Sequence, residues 1–144
     1  MKKTIRDEYI KLLSAEQGDG YFLYDIDRNG TPELWIKTGE YEAEYMMKVY
    51  TYKNGVKLLY SDDAGHTSYY QGNGYILSEW GHQGFVSRQK LTYNGTSITS
   101  TTVYEVAFAG DEDEDEAYHA PTEKYISLYS LSNKQPIMNA FKTD

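Results

Sequence analysis

Ten residues carry the densest chemistry in this sequence: Asp25-Ile26-Asp27-Arg28-Asn29-Gly30-Thr31-Pro32-Glu33-Leu34. Side-chain oxygens fall at the first, third, fifth and ninth positions, with Gly at the sixth. That spacing suits a hard cation, because alternate residues turn inward, the glycine permits a sharp bend and the seventh residue offers its backbone carbonyl. Here Thr31 supplies that carbonyl. The stretch holds no thiol or imidazole, so oxygen-seeking Ca2+ fits it better than zinc. The twelfth position is Ile36 rather than a bidentate Glu, and extended segments flank the loop, so it is not an EF-hand. The alternative is a self-contained turn, in which Asp25, Asp27 and Asn29 hydrogen-bond the local backbone as Asx residues do.

The loop resembles the short strand–loop–strand cation site of FG-GAP (integrin-type) propeller repeats, whose pattern runs D-x-D-x-[DN]-G-x-x-[DE]-[LV]. Asp25, Asp27, Asn29, Gly30, Glu33 and Leu34 match it, with Phe22-Leu23-Tyr24 and Leu34-Trp35-Ile36 as flanking strands. The resemblance implies Asp25, Asp27, Asn29, the Thr31 carbonyl and Glu33 as ligands of one structural calcium. More broadly, the first hundred or so residues are similar to uncharacterised exported or lipoprotein domains of anaerobic gut Firmicutes. Tyr21 to Asp27 and Val49 to Gly55 carry that likeness. It implies an extracellular or cell-surface setting and no transferable activity.

Other chemistry is thinner. Cys is absent, which removes thiol catalysis, disulfides, Fe–S clusters and Cys-ligated zinc. No serine has a G-x-S-x-G context, and no phosphate-binding glycine motif is present. The reading is therefore non-catalytic, with a hydrolase as a distant alternative. Were the third hairpin to turn at Asn73-Gly74, His66 would sit opposite Gly81, near His82 and Glu79, a two-His-plus-acid set of zinc type. The plainer reading is a set of loop histidines. The 16 tyrosines and two tryptophans suit half-buried strands. Alternatively, Trp35, Tyr69, Tyr70 and Trp80 belong to an aromatic face that binds glycan or peptide.

The scaffold is read from length and periodicity. The chain has 144 residues and net charge −8 from 22 acids and 14 bases. That suits one domain spanning 1–144 with one core and argues against nucleic acid or an anionic membrane as partner. Asp111 to Glu116 are six consecutive carboxylates, so the remainder carries only −2. Such a block is expected to be solvated and mobile. No apolar run is long enough to span a bilayer. Met1-Lys2-Lys3 resembles the start of a signal peptide, but Arg6, Asp7 and Glu8 interrupt it, so no leader is read here. A cytoplasmic setting is the alternative.

Ile5, Tyr9, Leu12 and Leu13 form a helical stripe, predicting a helix over 4–17 with Thr4 as cap. From Tyr21 to Phe108 the period is two. Asn29-Gly30, Asn54-Gly55, Asn73-Gly74 and Asn94-Gly95 each mark a hairpin turn. The strands are expected at 21–25, 32–38, 45–53, 56–61, 66–71, 75–80, 85–93 and 96–108, the last long enough for a bulge. An acidic loop follows at 109–119. Tyr125, Leu128 and Tyr129 then predict a helix over 121–132, with Pro121 in its first turn and Gln135-Pro136 breaking it. The fold class is α+β, mainly β: an antiparallel meander of about eight strands, curved or split into two blade-like four-stranded sheets, with one helix near each terminus.

Overall fold

A computed structural model describes residues 1–107 and 118–142. Helix α1 (Lys2–Ala15) is followed by β1 (Gly18–Tyr24), β2 (Glu33–Thr38), a 3-10 turn (Glu42–Glu44), β3 (Met46–Tyr52) and β4 (Val56–Asp63). Next come β5 (Thr67–Gln71), β6 (Ile76–His82), β7 (Phe85–Tyr93), β8 (Ile98–Ala107), β9 (Lys124–Tyr125) and α2 (Gln135–Ala140). Every strand pairing is antiparallel. One sheet has the order β1-β2-β3-β4 and the other β8-β7-β6-β5-β9. The mainly-β class, the two sheets and the helix near each terminus are as expected from the sequence.

Alternation along the strands builds three layers. On one face of the first sheet, Phe22, Trp35 and Val49 are cross-strand neighbours. They pack with Met47 against Tyr69, Ile76, Leu91 and Ile98 of the second sheet. On the other face, Tyr21, Leu34 and Ile36 meet Ile5, Tyr9 and Leu13 of α1 and Ile137 and Phe141 from α2 and its C-cap. β2 is covered on both sides, and all six of its residues are buried. A full side chain of the Leu or Ile class buried this way stabilises by roughly 1.5–3 kcal/mol. The two clusters therefore hold most of the fold's apolar burial.

All four Asn-Gly pairs lie between paired strands. Only Asn54-Gly55 has positive φ at both residues, +57° and +127°, as a type I′ turn requires. Gln83-Gly84 does the same, at +49° and +80°, between the paired His82 and Phe85. The expected irregularity in the longest strand is present: Arg88 pairs with Tyr104 but Gln89 with Thr102, so Val103 is the extra residue of a bulge.

Two expectations need correction. The helix α1 begins at Lys2, with no side-chain cap bond, so Thr4 lies inside it. The segment 121–132 is extended, and the second helix is Gln135–Ala140. Lys124 and Tyr125 pair with Gln71 and Tyr70 at the edge of the second sheet. Tyr129 bridges to Tyr21 at the edge of the first. The packed residues are Ile126 and Leu128, two apart, whereas Tyr125 and Tyr129 are 57% and 45% exposed. A period of two therefore underlies the apparent helical stripe. Pro136, read as a breaker, sits in the first turn of α2, where its missing N–H costs nothing. The run Asp111 to Glu116 lies outside the described residues. Among the described residues, no helix is long and apolar enough to cross a membrane.

Candidate metal centre

The loop between β1 and β2 is organised around Glu33, the first residue of β2. Alternation turns it toward the interior, where it is 1% exposed. Its Oε1 accepts the N–H groups of Ile26 at 2.8 Å and Asp27 at 3.4 Å, and its Oε2 accepts the Thr51 hydroxyl at 3.3 Å. Around it, Asp25 Oδ1 and Oδ2 accept the N–H groups of Asn29 and Gly30, at 3.2 and 2.9 Å. Asp27 Oδ1 accepts Asn29 N–H at 3.3 Å. Asn29 Oδ1 accepts Thr31 N–H at 2.9 Å. These are the Asx bonds of a self-contained turn.

The same turn gathers charge. One carboxylate oxygen from each of Asp25, Asp27 and Glu33 lies within 4.8 Å of the others. Burial, then the Asp27 charge, pushes the Glu33 carboxyl up to about 8. Burial and the neighbouring Asp25 also raise Asp27. Both directions mean that negative charge is crowded and poorly solvated here. None of the ion pairs among the described residues involves these three acids. Arg28, a cation within the loop, turns away: its Nη2 donates to the Asn73 carbonyl at 3.3 Å. Its backbone takes φ +56°, the left-handed region that non-glycine residues seldom enter.

Of the five expected ligands, then, Asp25, Asp27 and Glu33 converge. Asn29 spends its side-chain oxygen on the turn, and Thr31 contributes its N–H to that bond. Each carboxylate oxygen has lone pairs beyond those its hydrogen bonds use, so the triad retains capacity for a hard cation. Two neighbours were not anticipated. Thr51 faces Glu33 across the β2–β3 pairing, one step beyond the Leu34–Tyr50 pair, and hairpin register would have found it. Tyr9 of α1 donates its hydroxyl to the Pro32 carbonyl at 3.0 Å. Burial, then the charges of Glu33, Asp27 and Asp25, raises that phenol well above the ordinary tyrosine value.

The four aromatic candidates do not share a surface. Trp35 is fully buried, stacked on Phe22 with centroids 5.0 Å apart, its indole N–H donating to the Tyr24 carbonyl at 3.4 Å. Tyr69 is buried between the sheets. Tyr70 lies one strand position on, edge-to-face with Tyr125. Trp80 is 37% exposed beside Phe85 and His82. Strand alternation explains the split, because adjacent Tyr69 and Tyr70 must point to opposite faces.

A polar cluster that the sequence reading missed lies on the second sheet. Arg88 gives two charge-assisted bonds to Glu79 Oε1, at 2.8 and 2.6 Å. It also donates to the His119 carbonyl at 2.7 Å and lies over the Tyr104 ring. Tyr118 donates to Glu79 Oε2 at 2.5 Å. Glu79 is therefore engaged and unavailable to His66 and His82. No family model matches this chain, and neither a curated protein nor a solved structure matches it.

Proposed function

We propose that the chain is a non-catalytic binding or accessory domain of an extracellular or cell-surface protein, with one structural calcium ion in its first hairpin loop. The observation that carries the cation is the convergence of Asp25, Asp27 and Glu33 without an ion-pair partner among the described residues. A divalent ion would offset two of the three charges and relieve the crowding that raises Asp27 and Glu33. The donor set is all oxygen, as Ca2+ prefers. The residues would be Asp25, Asp27 and Glu33, with the Asn29 side chain and the Thr31 carbonyl completing the set if the turn relaxes. Extracellular calcium modules work with Kd on the order of 10⁻⁴–10⁻³ M, which fits a site with only three carboxylates.

The non-catalytic reading is supported by the same geometry. Glu33, raised into the range of a general acid or base, is buried with both oxygens bonded within the fold, so no substrate reaches it. Isothermal titration with Ca2+ tests the site directly. One equivalent of bound Ca2+ supports the reading, and no heat up to about ten times that Kd range replaces it with the self-bonded turn.

A second reading, a surface module for glycan or peptide, is favoured by a cleft of about 540 Å3 beside β9. Tyr125 and Tyr129 line it with Gln71, Lys124 and Asn139, combining aromatic faces with amide donors and acceptors. Retention on glycan affinity gels that drops in Tyr125→Ala and Tyr129→Ala would support this reading over the first.

A further inference from the structure

The face of the second sheet that packs on the first continues past it. Strand alternation puts Ser78 and Trp80 of β6 on the same face as Ile76. Register adds Phe85, Ser87 and Gln89 of β7 and Thr102 of β8. At one end Ile76 and Leu91 are buried against the first sheet. At the other, Trp80 and Phe85 are 37% and 36% exposed, so their rings form an open shelf. Asp62 of β4 lines a small gap with Ser78 and Leu91, which sets its carboxylate at the step between core and shelf.

The shelf is built in advance of any ligand. The Trp80 ring lies edge-on to His82, with centroids 6.2 Å apart, and is tilted 53° to Phe85 at 5.8 Å. The tight turn at Gln83-Gly84 pairs His82 with Phe85 and so holds both neighbours of Trp80. His66 stacks on His82 at 4.1 Å and braces it. Beside the rings, Gln89 Nε2 donates to Ser87 Oγ at 2.9 Å, and Gln89 Oε1 accepts the Thr102 hydroxyl at 2.9 Å. That ladder fixes the amide and leaves its second N–H and the Ser87 hydroxyl able to donate.

We propose that this shelf binds a neutral saccharide, with the apolar C–H face of one sugar ring on Trp80 and its hydroxyls on Ser87, Gln89 and Asp62. A pyranose joins one apolar face to a rim of hydroxyls, which matches an exposed indole beside an amide, hydroxyls and a carboxylate. A protein partner would need about 800 Å2 of complementary surface per side, whereas the apolar part here is two rings with a polar border. Charge selects among sugars. Asp62 and Glu105, which pairs with Ser87, make the border acidic, and alternation turns Arg88 and Lys90 to the opposite face of β7. A uronate or sulfated chain therefore meets repulsion with no strand cation to offset it. The ligand class is that of the second reading above, but the shelf shares no residue with the Tyr125–Tyr129 cleft, so the two sites succeed or fail separately.

Affinity electrophoresis of the full chain tests the shelf, in native gels holding laminarin, xyloglucan, galactomannan or, as the acidic contrast, polygalacturonate. Retardation by at least one neutral polymer, and not by polygalacturonate, is expected. Trp80→Ala should weaken it at least about tenfold, as truncating a central aromatic contact does. Gln89→Ala should weaken it less, Trp80→Phe should retain part of it, and Tyr125→Ala should leave it unchanged. The exposure of Trp80 means that its variants should keep the parent's melting midpoint. As a second readout, the retarding polymer should shield Trp80 from iodide quenching, while the buried Trp35 does not respond. Retardation by no neutral polymer, equal retardation by polygalacturonate, or affinity undiminished in both Trp80→Ala and Gln89→Ala would overturn the proposal. Loss in Tyr125→Ala with retention in Trp80→Ala would also overturn it, and would assign the sugar to the cleft.

Discussion

Tyr21 and Tyr129 exchange both backbone hydrogen bonds, N–H to O in each direction at 2.9 Å, although one lies in the first strand and the other near the C-terminus. The Tyr21 hydroxyl also donates to the Asn133 carbonyl at 2.6 Å. Together with β9 on β5, this bridge covers one edge of each sheet with a single extended segment. Unpaired strand edges invite pairing with other chains, and here the chain supplies its own cover.

Tyr129→Pro removes one donor of that exchange and leaves the carbonyl of fully buried Tyr21 without its partner. A loss of roughly 1–3 kcal/mol is expected, measured by urea denaturation. The Tyr21 amide should lose protection in hydrogen exchange ahead of the amide of Trp35 at the centre of the sheet.

Asp27→Asn separates the two readings of the first loop. If the triad holds Ca2+, the parent's melting midpoint rises in millimolar calcium and that of Asp27→Asn does not. Without calcium the variant should be as stable as the parent or more so, because it relieves the crowding that raises Asp27 and Glu33. Differential scanning calorimetry with and without the ion reads both effects. A tenfold excess over Kd corresponds to roughly 1.4 kcal/mol, within detection.

The pH dependence follows from Glu33, raised from 4.5 to about 8 by burial and then by Asp27. A carboxyl whose folded value is raised binds more protons in the folded state, so its favourable contribution is complete below the unfolded value. It is lost as pH climbs from 4.5 toward about 8. In chelator, therefore, the melting midpoint should decline across that window. Saturating Ca2+ should flatten or reverse the slope, since the ion binds the ionised form. A midpoint that rises steadily with pH in chelator would contradict the crowded-triad account.

Arg88→Leu leaves Glu79, 9% exposed, with a buried charge and, among the described residues, only the Tyr118 hydroxyl to satisfy it. Breaking a buried pair this way costs roughly 3–5 kcal/mol. Removing both charges in Glu79→Leu/Arg88→Leu should cost less than the single change. A double-mutant cycle by chemical denaturation measures the difference.

Much of the scaffold was legible in the residues themselves. The Asn-Gly pairs, the alternation between them and the stripe of Ile5, Tyr9 and Leu13 report conformations decided within a few residues, and all recur in the structure. The triad of Asp25, Asp27 and Glu33 was also legible, because one tight turn brings those positions together. The segment 121–132 was misread because Tyr125, Leu128 and Tyr129 mimic a helical stripe. What makes it extended is the pair of open edges at β5 and β1, which lie far away in the chain.

The sequence by itself determined the turns, the strand faces and the acid loop, since these depend on backbone preference and side-chain alternation over short distances. Only the tertiary structure decided that Trp35 and Tyr69 are core rather than surface, that Glu79 belongs to Arg88, and that Glu42 meets His66. Those outcomes depend on which sheet faces pack together and which connections meet at one end, and no local period records that choice.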